Sequence, residues 1–450
     1  MSLLKALLYV AMTLGLVAAA TRIHGQSNEV GRMKMPWSYD NENGFTFDVD
    51  YEVHRGEGLL LHVAFVIISD QHLRYGAPDA PDTLFTSSDF LNRYGAATYQ
   101  FEPRGFNHFF RVPKNYLTFM TIENAVRDIE TFITDVVLAG GPVKNIIVMG
   151  TGYGGQLAAY YNAAFSRASA AIVDTARVYT PATYPLYAYL KETLSPGCFA
   201  GWGDVVAHFD GLIAEGGSEY VGGDFLMCHY TDLDDAEWTA FMWHSVFFPV
   251  ANALGFTYSK RPIWHATRSN ICRRLEKPIK TQWNEFRDIV KLDLRPEGRY
   301  CLATDYMAFG DEFYNGYLAS MTAHQCLGMG QFAVAEAGAG MPVDIPLKAM
   351  YKACQALLGE GWDPKIIVEG TKKITKQFGG RDYVGNYTFA ANAKGDVYYP
   401  LTPRSAGDKS VVLDYDGSRG SLFAKPASSD TQAVVETRSK MFEFIDSILL

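Results

Sequence analysis

The stretch IIVMGTGYGGQLAAYY, Ile146 to Tyr161, holds the residues whose types and spacing point most directly to chemistry. An apolar run enters a set of glycines and leaves them in a helix-forming segment. Gly150, Gly152 and Gly155 spell G-x-G-x-x-G, and Asp174 closes the next apolar run about 20 residues on, the pattern of a dinucleotide-binding unit. The same strand, tight turn and helix also fit a nucleophile elbow, G-x-S-x-G, whose middle position is here Gly152. The first reading makes a nicotinamide enzyme. The second makes a hydrolase without its attacking residue.

Either reading needs a sheet to hold the turn. Leu59 to Ser69, LLLHVAFVIIS, reads as a buried strand and Ala97 to Glu102 as a shorter one. Apolar residues recur at helical spacing from Ile122 to Val137, and Gly140-Gly141-Pro142 stops that helix. A strand over 145–149, a helix over about 156–167 and a strand over 170–174 follow. This alternation is the mark of a parallel sheet covered on both faces, an α/β fold. From residue 184 to 380 aromatic-rich stretches of helical periodicity carry all six cysteines, and no clear strand is expected before about 385. Strand-like runs return at Tyr387 to Ala391 and Ser410 to Tyr415, and an amphipathic helix spans Gln432 to Leu449. The expected division is a signal segment over 1–20, a sheet domain over 21–183, a helical insertion over 184–380 and completion of the sheet over 381–450.

The opening residues MSLLKALLYVAMTLGLVAAA combine one lysine, a short apolar run, and Ala18 and Ala20 placed for cleavage before Thr21, which reads as a secretory signal. No later segment is long and apolar enough for a membrane span. A net charge of -9 with no basic block argues against nucleic acid. Six cysteines behind a signal suggest disulfides, with 15 pairings open to sequence alone, and the absence of C-x-x-C spacing argues against zinc. Asn386-Tyr387-Thr388 is a glycan sequon.

YLTFMTIENAVRDIETFI from Tyr116, GTGYGGQLAAYY from Gly150, HQCLGMGQF from His324 and NAKGD at 392 to 396 together resemble the family of lysosomal Pro-Xaa carboxypeptidase, dipeptidyl peptidase two and thymus-specific serine protease. The resemblance runs from about residue 96 to 450. It implies an α/β-hydrolase fold with a helical, disulfide-bearing cap inserted before the last strands, no cofactor, and pairs Cys198 with Cys272, Cys228 with Cys301, and Cys326 with Cys354.

The resemblance also implies a Ser, His and Asp triad, whose hydroxyl attacks, whose imidazole takes the proton and whose carboxylate orients the imidazole. The nucleophile position falls on Gly152, and the neighbouring Thr151 points elsewhere in an elbow. The carboxylate position falls on Asp396, for which ordinary turn chemistry is an equal explanation. The histidine position falls near Arg419, and no histidine follows His324. Arginine stays protonated and is no general base. EPRGFNHFF from Glu102 and FVIISDQHL also depart from the family's phrases.

The chain therefore reads as a secreted or lysosomal peptidase homologue without catalysis that binds a peptide or protein, with a homodimer compatible. Backbone N–H groups of Tyr153 and Gly154 at the helix start are the expected anion site. The alternative is an active serine-type hydrolase using other residues, with His108, His208, His229, His244, His265 and His324 to inspect; a dinucleotide enzyme using 150–155 stands third. His229, His265, the aromatic run from Trp238 and the pair Asp234-Asp235 read more simply as packing or a solvated helix start.

Overall fold

The computed structural model describes residues 29–40, 44–56, 62–69, 83–106, 114–184, 186–215, 223, 225, 247–254, 268–290, 316–334 and 347–449. The expected signal segment, Cys228, Cys301, His108, His229, His244, His265, Asp234-Asp235 and the aromatic run up to 246 lie outside the described residues.

The strands of the main sheet are β1 (Glu29–Pro36), β2 (Thr46–Arg55), β3 (Val63–Ile68), β4 (Ala96–Phe101), β5 (Asn145–Thr151), β6 (Ala170–Asp174), β9 (Thr388–Ala393) and β10 (Val411–Tyr415). Two further strands, β7 (Thr183–Tyr184) and β8 (Phe332–Ala333), pair in parallel apart from it. The sheet order is β1-β2-β4-β3-β5-β6-β9-β10, and β2 alone runs against its neighbours. That order, with the antiparallel second strand and a glycine turn after the fifth, is the α/β-hydrolase topology.

β3, β4, β6 and β9 are buried at every position, which is why they read as continuous apolar runs rather than alternations. Alternate residues of β3 serve opposite layers. Ala64, Val66 and Ile68 join the cluster that holds α2 (Ile122–Phe132) and α3 (Gly152–Ala164). Val63, Phe65 and Ile67 join the cluster under α1 (Ser88–Tyr94) and the C-terminal helix Gln432–Leu449.

Several expectations need correction. The hairpin β1–β2 was not anticipated, although Phe47, Val49 and Val53 recur on one face with period two. Helix α3 starts at Gly152 and ends at Ala164, earlier at both ends than 156–167, because the glycine turn is itself the first helical turn. The helix from Ile122 finishes in a wide π turn over Ile133–Val137. β7 and β8 are strands in a region expected to hold none.

Between β6 and β9 the described residues are otherwise mainly helical: α4 (Leu186–Thr193), α5 (Pro196–Ala214), α6 (Phe248–Ala253), α7 (Arg268–Leu275), α8 (Ile279–Asp288), α9 (Gly316–His324), α10 (Leu347–Leu358) and α11 (Lys365–Phe378). Trp202 of α5 packs edge-on to Phe247 and to Phe286 of α8. Disulfides join Cys198 to Cys272, tying α5 to α7, and Cys326 to Cys354, tying the turn after α9 to α10.

Candidate functional site

The site starts at the end of β5. Thr151 is extended, with φ −116° and ψ 154°, and Gly152 turns to φ +51° before α3 begins. A side chain is strained there, and glycine is not. The flanking glycines serve packing: a Cβ on Gly150 would stand 2.4 Å from the carbonyl carbon of Gly154, and one on Gly154 would stand 2.2 Å from the oxygen of Ile68. The helix start is thus pressed against the ends of β5 and β3, as in an elbow. In a dinucleotide turn that closeness would serve a pyrophosphate.

Asp174 also tells against the dinucleotide reading. It is fully buried. Its Oδ1 accepts from the Tyr415 hydroxyl and the Thr175 hydroxyl, each at 2.9 Å, and its Oδ2 accepts from the Gly420 N–H at 2.7 Å. A carboxylate so engaged does not reach a ribose. Burial pushes its pKa up to about 7, the three hydrogen bonds oppose the rise, and the charge of Asp396 adds to it.

Asp396 follows β9, two strands from the elbow, and is fully buried. One carboxylate oxygen accepts from the Tyr398 N–H at 2.7 Å, and the other lies 3.0 Å from Nε of Arg419. Arg419 comes from the loop after β10, which the Gly420 bond to Asp174 anchors. The ends of adjacent strands therefore bring together Asp396 and the residue standing where the resemblance implies a histidine, and they meet as a buried ion pair.

The aromatic residues around this pair form a second group. Arg419 and Arg177 both approach the Tyr398 ring, at 5.0 and 4.6 Å from its centroid, and Tyr184 packs 5.9 Å from the same ring. Arg177 also lies 5.6 Å from the ring centroid of Tyr153, the second residue of α3. The Tyr153 hydroxyl is 3.1 Å from Nε2 of His324, and Phe106 stacks on its ring at 4.9 Å. Burial first, then the charges of Arg104 and Arg177, pulls the pKa of His324 down to about 3, so the imidazole is neutral.

Sequence reasoning missed Arg177 and Tyr398. Their one signal was position, just beyond the carboxyl ends of β6 and β9, where ligands sit in open α/β sheets. Of the other residues singled out, Gly154 packs on β3, and His208 packs edge-on to Trp283 at 5.0 Å. Asn386 is exposed, with its Oδ1 accepting from the Asp408 N–H at 2.8 Å. Among the described residues no group of three or more His, Cys, Asp or Glu could hold a metal ion. A cavity of about 650 Å³ lined by His54, Phe90, Arg93, Lys425 and Phe442 among others shares no residue with the elbow.

No family model matches the chain, and no curated protein does. Among solved structures, the peroxisomal alpha-beta-hydrolase Lpx1 from Saccharomyces cerevisiae is similar over 94% of this chain and 91% of its own, at 10% identity and a TM-score of 0.38. DcsB, in complex with its substrate analogue, is similar over 94% of this chain and 99% of its own, at 14% identity and a TM-score of 0.34. The acylaminoacyl peptidase of Pyrococcus horikoshii matches over 39% of this chain, at 15% identity and a TM-score of 0.26. The matched part is 26% of that peptidase, about a quarter of its length. The fold assignment rests on the strand order and the turn.

Proposed function

We propose that this chain is a secreted or lysosomal homologue of the proline-specific serine exopeptidases that has lost catalysis and acts by binding a peptide or protein. One observation carries the reading: the elbow presents Gly152, and the carboxylate that would orient an imidazole is paired with Arg419 instead. Acyl transfer by a triad needs a hydroxyl to attack and a base to take its proton. Glycine has no hydroxyl, and a guanidinium keeps its proton.

The disulfides Cys198–Cys272 and Cys326–Cys354 support an oxidising compartment. No described helix is long and apolar enough to cross a membrane. Incubation of the purified protein with a fluorophosphonate probe is expected to leave it unlabelled. Covalent labelling would overturn the inactive reading.

One observation favours an active hydrolase instead, the contact between the Tyr153 hydroxyl and the neutral imidazole of His324. Both side chains are buried under Phe106, which favours a packing role. Labelling that disappears in Tyr153→Phe would establish this second reading.

A further inference from the structure

Arg177 is 3% exposed, and among the described residues its Nε has no hydrogen-bond partner and its Nη2 meets the sulfur of Met321, at 3.8 Å. Among the described residues no carboxylate pairs with it. Three of the buried carboxylates are committed elsewhere: Asp128 holds Arg104 through two bonds of 2.7 Å, Asp396 holds Arg419, and Asp174 holds Tyr415 and Gly420. A buried cation left with aromatic faces alone is poorly compensated and favours an anion beside it.

The segment that carries Arg177 lies along the first turn of α3. A Cβ on Gly155 would stand 3.3 Å from the Cβ of Ala176, and the guanidinium itself lies over Tyr153. The helix has 13 residues, and the side chain of its N-cap Thr151 makes no capping bond. Ser69 Oγ is a further buried polar atom without a partner among the described residues, and its residue borders Gly154, whose added Cβ would lie 3.3 Å from the Ser69 carbonyl carbon.

We propose that Arg177 and the first-turn amides of α3 form a receptor for a carboxylate, specifically the C-terminal carboxylate of a short peptide. This rests on the peptide-binding reading and says which end of the peptide is held. A planar guanidinium matches a carboxylate through paired bonds. One cation flanked by the rings of Tyr153 and Tyr398, with Phe106 stacked on Tyr153, suits a monoanion on an apolar body better than a dianionic phosphate.

Calorimetry with N-acetyl-Ala-Pro as the free acid, the same peptide as its C-terminal amide, and inorganic phosphate tests this on the unaltered protein. The acid is expected to bind at least tenfold more tightly than the amide or phosphate. Arg177→Met is expected to fold and to lose the acid's advantage, and Arg177→Lys to keep part of it. Equal binding of acid and amide, or an undiminished preference in Arg177→Met, would overturn the carboxylate receptor while leaving peptide binding in place. Tighter binding of phosphate would overturn the assigned ligand class. Failure of both peptides to bind would remove the receptor too, and the inactive reading would still be judged by the probe experiment.

Discussion

At residue 152 the backbone itself favours glycine. A φ of +51° is a left-handed conformation, which costs a side-chain-bearing residue about 1 to 2 kcal/mol. Gly152→Ser is therefore expected to lower unfolding free energy in urea by about that much and to release no amino acid from proline-bearing peptides. Measurable turnover in that single variant would show that a base is present after all. The pair at the other end of the site behaves differently. Asp396 and Arg419 are buried, and removing one partner of such a pair costs about 3 to 5 kcal/mol because the other charge is stranded. Arg419→Ala should fall in that range, and adding Asp396→Asn should recover part of the loss. If the double variant is no more stable than the single one, Asp396 does not depend on Arg419.

Elements differ in how far the sequence revealed them. β6 was read at its true bounds, and the C-terminal helix likewise, because continuous burial and a one-sided apolar stripe leave plain patterns. The hairpin β1–β2 escaped, since its exposed face and charged residues dilute the alternation. The elbow was legible as a turn, but Arg177 and the contact of Tyr153 with His324 were not. They join residues 144 and 171 positions apart to their partners, and no local pattern encodes such a distance. The two described disulfides close loops of different size, with separations of 74 and 28 residues. Chain-entropy reasoning gives about 4.5 kcal/mol for the first and about 3.6 kcal/mol for the second. Replacing Cys198 and Cys272 by alanine should thus lower the melting temperature more than replacing Cys326 and Cys354. The reverse order would mean that native packing, not loop closure, decides the difference.

For the molecule as a whole, two buried groups bend the pH dependence of stability in opposite senses. His324 titrates near 3 when folded against an ordinary 6.5, so the unfolded chain takes up the proton first and the contribution of His324 is lost as pH falls from about 6.5 toward 3. Asp174 titrates near 7 when folded against 3.8, so the folded chain binds the proton first and gains stability as pH falls from about 7 toward 4. Urea midpoints at pH 7 and pH 4 should then show His324→Gln resisting acid better than the parent, and Asp174→Asn resisting it worse. Parallel behaviour of all three would contradict both shifts.

Under the proposed function, the ion pair at the sheet's end also limits what a single substitution can restore. A serine placed at 152 would meet Arg419 where an imidazole is needed, and a histidine placed at 419 would face Gly152 where a hydroxyl is needed, so neither change alone supplies a triad. On that reading the two positions are locked together: a triad would need both changes at once, while Asp396 is held by Arg419.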